Sequence, residues 1–379
     1  MKKKNILINA LGIIDSGGIS VLNKLLHECT KNKSNSFFIV CNCNRNIQRL
    51  INKFRTFKNF EFKLITNKSF LYRIYYENFV IKRYAESYVD LIYNFSGSFL
   101  YFVKKPQIVK VQNLIFYSKK LDSIYKKNGR YLSWIFKIYI KRLLFIFFLK
   151  NAKHIEIQSN HVANHLRSFI DIKCKILYVK SDVDIAKNEF FLPKQYNFSK
   201  KINFLYVVGP HFEYLHKNIN DFTSTMVDLS KKEINFEINI TLSNRQLASS
   251  RFWDSSLNTK TNFLGYIDDQ EKMKELFCEN TILISTSVIE TLGLHVIEGI
   301  KHGIITIVPD EEYANVVYGE NVFKYELFNK KSLVNIIMKI VKYNGSLRKK
   351  VLLIQDDIRR SEGRKFGSIL DIFDEVLNV

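Results

Sequence analysis

Short apolar runs rich in β-branched residues alternate along the chain with segments whose apolar positions recur at helical spacing. Residues 5–11 (NILINAL) read as a strand, and Gly17-Gly18 then opens a stretch in which Ile19, Leu22, Leu25, Leu26 and Cys29 fall on one helical face. Further strands are expected at 37–41, 91–93, 108–111, 155–157 and 176–179, separated by segments long enough to cross back over a parallel sheet. The pattern restarts near residue 202, with strands expected at 202–208, 236–241, 263–264, 282–285 and 304–308. Runs apolar at consecutive positions belong in sheets covered on both faces, so two doubly wound α/β domains are predicted.

The length of 379 residues suits two cores better than one. The polar stretch 180–201 separates the two series, which divides the chain into an N-terminal domain at 1–185, a linker at 186–201 and a second domain at 202–360. A final helical segment at 361–379 is expected to pack back toward the N-terminal domain. In such folds a ligand belongs at the carboxyl ends of the strands, here in the cleft between domains.

Charge divides the same way. The net charge is +22, but residues 1–200 carry 36 basic and 12 acidic side chains, whereas residues 201–379 carry 22 and 24. Only the first half is suited to a large anionic surface. No helix-turn-helix, zinc-finger or RNP-like motif accompanies the charge, which argues against nucleic acid. The segment 132–149 is apolar but interrupted by Lys137, Lys141 and Arg142, too charged to span a bilayer. It reads as a helix with those three cations on its solvent stripe. The alternative, compatible in part with the first, is an interfacial helix with its apolar face in the headgroup boundary and Lys119, Lys120, Lys126, Lys127 and Arg130 beside it. The start, MKKKNILINALGIIDSGG, is broken by Asn9 and Asp15 and reads as a buried first strand rather than a signal peptide. Cys29, Cys41, Cys43, Cys174 and Cys278 are scattered without metal-ligand spacing and are expected to be reduced thiols in the cytoplasm.

The most specific segment is 281–309, TILISTSVIETLGLHVIEGIKHGIITIVP. A buried strand leads to a loop with Glu290 and Gly293, and a helix follows with Glu298 in its first turns. The eight-residue spacing of the glutamates is not itself diagnostic, since Glu271/Glu279 and Glu312/Glu320 share it. Only Glu290 and Glu298 bracket a strand-loop-helix junction, where free backbone N–H groups and the positive helix end favour a diphosphate. Asp182-Val183-Asp184 has the form of a metal-binding DxD, but it falls at the start of the linker and no metal is expected.

The stretch ETLGLHVIEGIKHG resembles the E-x7-E signature of the family-4 retaining glycosyltransferases, whose fold is GT-B: two Rossmann-like domains facing each other across a cleft. Other matches follow in order. Asp15-Ser16-Gly17-Gly18 resembles that family's glycine-rich loop, Val111-Gln112-Asn113 its acceptor-side strand end, and Ile157-Gln158-Ser159 its last N-domain strand. Val208-Gly209 with His216-Lys217-Asn218 resembles the loop whose lysine holds the donor phosphates, and Phe263-Leu264-Gly265-Tyr266 the strand end near the base. The resemblance implies that Lys217 binds the diphosphate and stabilises the leaving group, and that Glu290 meets the transferred sugar. It implies that Glu298 binds the ribose, with Gly293, Leu294, Gly209, Gly17 and Gly18 shaping the donor site and Asn113 and Asp15 on the acceptor side. Two departures stand out. Pro210 and His211 occupy the place of the family's phosphate-clamp arginine, leaving His211, His216 or another residue to supply a second cation. Asn113 stands where a histidine is usual.

The implied activity is metal-independent transfer of a sugar from a nucleotide-diphosphate sugar to a lipid-linked or oligosaccharide acceptor in surface polysaccharide (O-antigen or capsule, or lipopolysaccharide) synthesis. The protein would then sit in the cytoplasm, peripheral on the inner face of an anionic membrane, with no cofactor. A nucleotide-sugar epimerase or hydrolase of the same fold is the alternative, and a non-catalytic basic nucleic-acid-binding protein a more distant one.

Overall fold

The computed structural model describes residues 3–14, 16–66, 69–171, 175–178, 190–209, 211–267, 269–342, 346–361 and 368–378. Asp15, Cys174, Asp182-Val183-Asp184, residues 186–189 of the expected linker and Pro210 lie outside them. The chain forms two compact units. The first comprises Met1–Ser118, Arg130–Val183 and Arg364–Val379, and the second Lys119–Gly129 and Asp184–Gly363.

The first unit is built on seven parallel strands, β1 (Asn5–Ala10), β2 (Ser36–Asn42), β3 (Phe60–Ile65), β4 (Leu91–Asn94), β5 (Gln107–Val111), β6 (His154–Ile157) and β7 (Lys175–Tyr178), in the order β3-β2-β1-β4-β5-β6-β7. β1, β4 and β5 are almost wholly buried, which is why they read as continuous apolar runs. β3 escaped the sequence pattern because it is an edge strand. FEFKLI alternates exposed and half-buried positions instead of forming an apolar block. An interior ion pair of the sheet, Lys110 Nζ to Glu156 Oε1 at 2.5 Å, also receives the Tyr93 hydroxyl, so that both buried charges are compensated. The C-terminal helix Ile369–Leu377 starts in a capping box at Ser368. The Ser368 hydroxyl donates to Glu28 of the helix Ser16–Lys31 (2.9 Å), and Phe373 packs edge-on against Tyr93.

The expected helix at 132–149 is a longer run made of Tyr131–Trp134, a π-helical turn Ile135–Tyr139 and Ile140–Asn151. Its cations are not all on a solvent stripe. Arg142 is buried, its Nε donating to the Phe116 carbonyl and its guanidinium lying 4.5 Å from the Phe169 ring centroid. A planar, weakly hydrated guanidinium can be buried against an aromatic ring where an ammonium would not be. Among the described residues no helix is long and apolar enough to cross a membrane. Of the cations expected beside this run, Lys119, Lys120, Lys126 and Lys127 fall in the second unit, where Lys120 is ion-paired with Glu311.

The second unit is built on six parallel strands, β8 (Ile202–Tyr206), β9 (Phe236–Ile240), β10 (Thr261–Phe263), β11 (Thr281–Ile284), β12 (Ile305–Pro309) and β13 (Phe323–Tyr325), in the order β10-β9-β8-β11-β12-β13. Phe204, Ile238, Ile282 and Ile305 from the sheet join Phe222 and Met226 of the helix Ile219–Ser230 in its core. β13, three residues at the edge, is too short to show a period. In each sheet the strand order reverses once, between β1 and β4 and between β8 and β11. These are the topological switch points at which diverging loops leave a crevice.

Candidate functional site

In the second unit, Lys217 follows β8 and Glu290 follows β11, so both stand at the switch point. Lys217 Nζ donates to Glu290 Oε1 at 2.7 Å. The fold fixes the lysine through its main chain. Its carbonyl accepts from the Tyr206 hydroxyl on β8 (3.3 Å) and the Thr286 hydroxyl after β11 (2.9 Å), which are themselves 2.7 Å apart. The next residue, Asn218, has φ +48°, turning the chain into the helix Ile219–Ser230. Thr241 ties down the preceding loop by bonding both the amide and the carbonyl of Val208, next to Gly209.

Burial alone would push the Glu290 carboxyl up. The Lys217 ammonium, the neighbouring His295, and hydrogen bonds from Lys217 and Ser287 outweigh it and hold the group at about 2. Glu290 is therefore ionised. His295 is lowered by burial to about 4 and is neutral at physiological pH, with its Nε2 3.4 Å from the Ser285 hydroxyl. His216 is buried and is lowered by burial, and next by Lys217, to about 3, so it is neutral at physiological pH in the free protein. His211, the other histidine expected there, is exposed, with its ring stacked on Tyr214.

The helix Leu294–Lys301 begins at Gly293, which has φ +59°. This glycine is required twice over. The left-handed conformation strains any L side chain, and a β-carbon here would lie 2.1 Å from the Tyr318 hydroxyl, which donates to the Leu292 carbonyl. The turn starts the helix at Leu294, so the amides of Leu294 and His295 in its first turn have no intrahelical acceptor. Glu298 lies one turn further along. Burial raises its carboxyl against a smaller opposing effect of Lys301, and among the described residues no hydrogen bond reaches the carboxylate. Gly299 lets the helix close on the sheet, since a β-carbon would meet Leu283 at 2.8 Å.

Gly293→Ala is expected to lower the melting temperature by about 4–8 °C, from about 2 kcal/mol of backbone strain and overpacking. Adding Tyr318→Phe removes the hydroxyl but not the backbone strain. Calorimetry should therefore show partial recovery in the double variant, and full recovery would mean that the conformation at Gly293 is unstrained.

In the first unit, Gly17 and Gly18 lie in the first turn of the helix Ser16–Lys31 after β1, and Gly17 has open space where a β-carbon would be. Asn113 follows β5 and caps the 3-10 turn Leu114–Tyr117, its side-chain oxygen accepting from the Ile115 amide at 2.9 Å. Asn113 thus has a local structural task, which a histidine ring would not perform in the same way. Sequence inspection missed a buried network at the β1/β4 switch point. Arg73 Nε and Asn9 Nδ2 both donate to Glu77 Oε1 (2.9 Å each), and Arg73 Nη2 reaches the Ser96 carbonyl (3.1 Å). The guanidinium lies directly under Gly12, where a β-carbon would come within 2.0 Å of Nη1. No spacing signal joins Asn9, Gly12, Arg73, Glu77 and Ser96 before the sheet order is known.

No protein-family model and no curated protein sequence matches the chain. Solved structures do. The chain is similar to sucrose-phosphate synthase from Thermosynechococcus elongatus, at 13% identity over 99% of this chain and 96% of that one, with a TM-score of 0.67. It is also similar to Anabaena HepE, solved in complex with UDP and glucose, at 14% identity over 99% of this chain and 100% of that one (TM-score 0.62). A third similar structure is the lipopolysaccharide outer core galactosyltransferase WaaB, at 14% identity over 100% of this chain and 99% of that one (TM-score 0.58). Both sheets, in their order, are thus matched end to end.

The fold is GT-B.

In this GT-B chain the expected donor residues Lys217, Glu290, Gly293, Leu294 and Glu298 converge on one strand-helix junction of the second unit. Gly209 lies on the adjoining β8 loop, and Gly17, Gly18 and Asn113 belong to the first unit.

Proposed function

We propose that the protein is a retaining glycosyltransferase that moves a sugar from a UDP-sugar to a hydroxyl of a lipid-linked or oligosaccharide acceptor in surface polysaccharide synthesis. The observation that carries this reading is the Lys217–Glu290 pair at the β8/β11 switch point, beside the amide end of the helix Leu294–Lys301. A fixed ammonium and free helix amides favour a diphosphate and stabilise the charge that develops as it leaves. Glu290, ionised, accepts hydrogen bonds from hydroxyls of the transferred sugar, and Glu298, whose carboxylate receives no hydrogen bond among the described residues, accepts from the ribose. The acceptor hydroxyl attacks on the face from which the diphosphate departs, its proton passing to the leaving phosphate oxygen. UDP as the nucleotude is supported by the HepE complex with UDP and glucose, and a saccharide acceptor by the similarity to a lipopolysaccharide galactosyltransferase.

A thermal-shift screen against UDP-, GDP-, ADP- and CMP-sugars tests the reading. A ligand at about 100 times its Kd stabilises the native state by about 2.7 kcal/mol. UDP-sugars are expected to raise the midpoint by several degrees, and no shift with any nucleotide sugar would overturn the assignment. Donor consumption that proceeds equally without acceptor would replace transfer by hydrolysis or epimerisation.

A further inference from the structure

The first unit carries a surface that nothing in the donor chemistry uses. Three of its segments contact one another: the helical run 70–88, the loop 99–105 and the helical run 131–151. Phe70 packs on Phe145 (6.2 Å between ring centroids), and Lys141 lies over the Phe70 ring. Tyr101 stacks on Phe147 at 5.0 Å. The Asn78 side chain accepts from the Tyr101 amide, and Lys82 lies over the Phe102 ring. Each of the three segments exposes large apolar side chains. Phe102 is 87% exposed, Leu71 77%, Leu132 71% and Phe136 66%, and Tyr75 and Phe79 continue the Leu71 stripe at four-residue intervals. Each helical run contains a π turn, at Tyr76–Ile81 and Ile135–Tyr139, a distortion concentrated at functional segments.

The charges around these apolar residues are of one sign. Lys82, Arg83, Lys104, Lys137 and Lys150 are exposed or half-buried, and the loop 99–105 and the run 131–151 contain no acidic residue. Glu77 is buried in the network with Arg73, which leaves Glu86, 3.9 Å from Lys82, as the acidic group on the outer side of the run 70–88.

We propose that this face docks on an anionic lipid bilayer, with the aromatic and aliphatic side chains entering the headgroup boundary and the flanking lysines and arginine meeting lipid phosphates. It rests on the reading of a lipid-linked acceptor above and deepens it by placing the surface at which that acceptor is met. The run 131–151, roughly 30 Å long, lies flat in the interface rather than crossing it. Apolar side chains at successive turns ringed by cations are the composition that an interfacial helix requires, and an anionic bilayer supplies both an apolar layer for the side chains and phosphates on every side of them for the cations. The docking surface therefore includes the run 70–88 and the loop 99–105 as well as the run 131–151, and its cations differ from the 119–130 cluster expected from sequence.

The test is flotation of the full chain with vesicles of phosphatidylcholine alone or mixed with phosphatidylglycerol, using F102S/F136S and K104E/K137E. All four positions are exposed, so both variants should keep the parent's melting temperature and its shift with UDP-sugar. The parent is expected to float with the anionic vesicles and to remain partly bound in high salt. F102S/F136S should lose about a hundredfold in affinity, tenfold for each aromatic side chain withdrawn from the interface. K104E/K137E should lose affinity in low salt and much less in high salt. Failure of the parent to bind anionic vesicles, or equal binding by F102S/F136S, overturns the proposal. So does concentration-dependent self-association, without vesicle binding, that F102S/F136S abolishes, because a second copy would then cover the face. The UDP-sugar shift is read in the same samples, so failure of the face and failure of the donor-site reading give different results.

Discussion

Lys217→Met and Glu290→Gln should both lose transfer, by about 10²–10³-fold, while moving nucleotide affinity in opposite directions. The reason is the 2.7 Å contact between them. The carboxylate occupies the ammonium that, on the proposed reading, holds the diphosphate, so donor binding would exchange one anion for another. Glu290→Gln leaves the lysine free of a competing charge and is expected to bind UDP about tenfold more tightly, the scale of a partly exposed ion pair with one charged hydrogen bond. Lys217→Met removes the cation and should weaken UDP binding. Calorimetric titration with UDP alongside a transfer assay separates the two effects, and weaker UDP binding by Glu290→Gln would refute competition for the lysine.

The same pair sets a pH dependence. The Glu290 carboxyl is depressed to about 2, so its contribution to stability is present above the ordinary carboxylate range and is lost as pH falls toward that value. In Lys217→Met, burial acts unopposed by the ammonium. The melting-temperature difference between parent and variant should therefore be widest near neutrality and narrow on acidification.

Glu298→Gln is the second large effect, and its two consequences have opposite signs. In the free protein burial raises this carboxyl, so its ionised form opposes folding, and the penalty grows as pH rises from the ordinary carboxylate range through the raised value. The glutamine variant should lack that pH-dependent loss. At neutral pH it should melt about 2–4 °C higher, the response to ~1 kcal/mol in a domain of this size. The same substitution removes the charged acceptor assigned to the ribose and should weaken UDP-sugar binding about 10- to 100-fold. Thermal melts with and without UDP-sugar read both effects. A variant that melts lower than the parent, or that keeps the full ligand shift, would remove Glu298 from the site.

Residues buried on both sides were the most legible in the sequence. β1, β4, β5, β8, β11 and β12 appear as apolar blocks because no position in them needs to face water. β3 and β13 did not appear because an edge strand is half-solvated or too short to carry a period. The strand-loop-helix junction at 281–301 was also legible, since a strand, a loop glycine and a helix start are local features carried by neighbouring residues. Arg142 misled for a physical reason: a charged residue in an apolar run reads as a solvent-facing one unless its acceptor is known, and that acceptor, the Phe116 carbonyl, lies 26 residues away.

The sequence by itself determined the two doubly wound sheets, the glycine at which the Leu294–Lys301 helix starts, and the concentration of positive charge in the first half. Each of these is written in neighbouring residues or in a sum over them. Only the tertiary structure decided that Lys217 and Glu290 pair across the switch point. Only it showed that Tyr318 leaves no room for a side chain at Gly293, that Arg73 lies beneath Gly12, and that three separate segments join into one apolar and basic face. These depend on which strands are neighbours and on which side of a helix is left uncovered, and such contacts between distant residues leave no period along the chain.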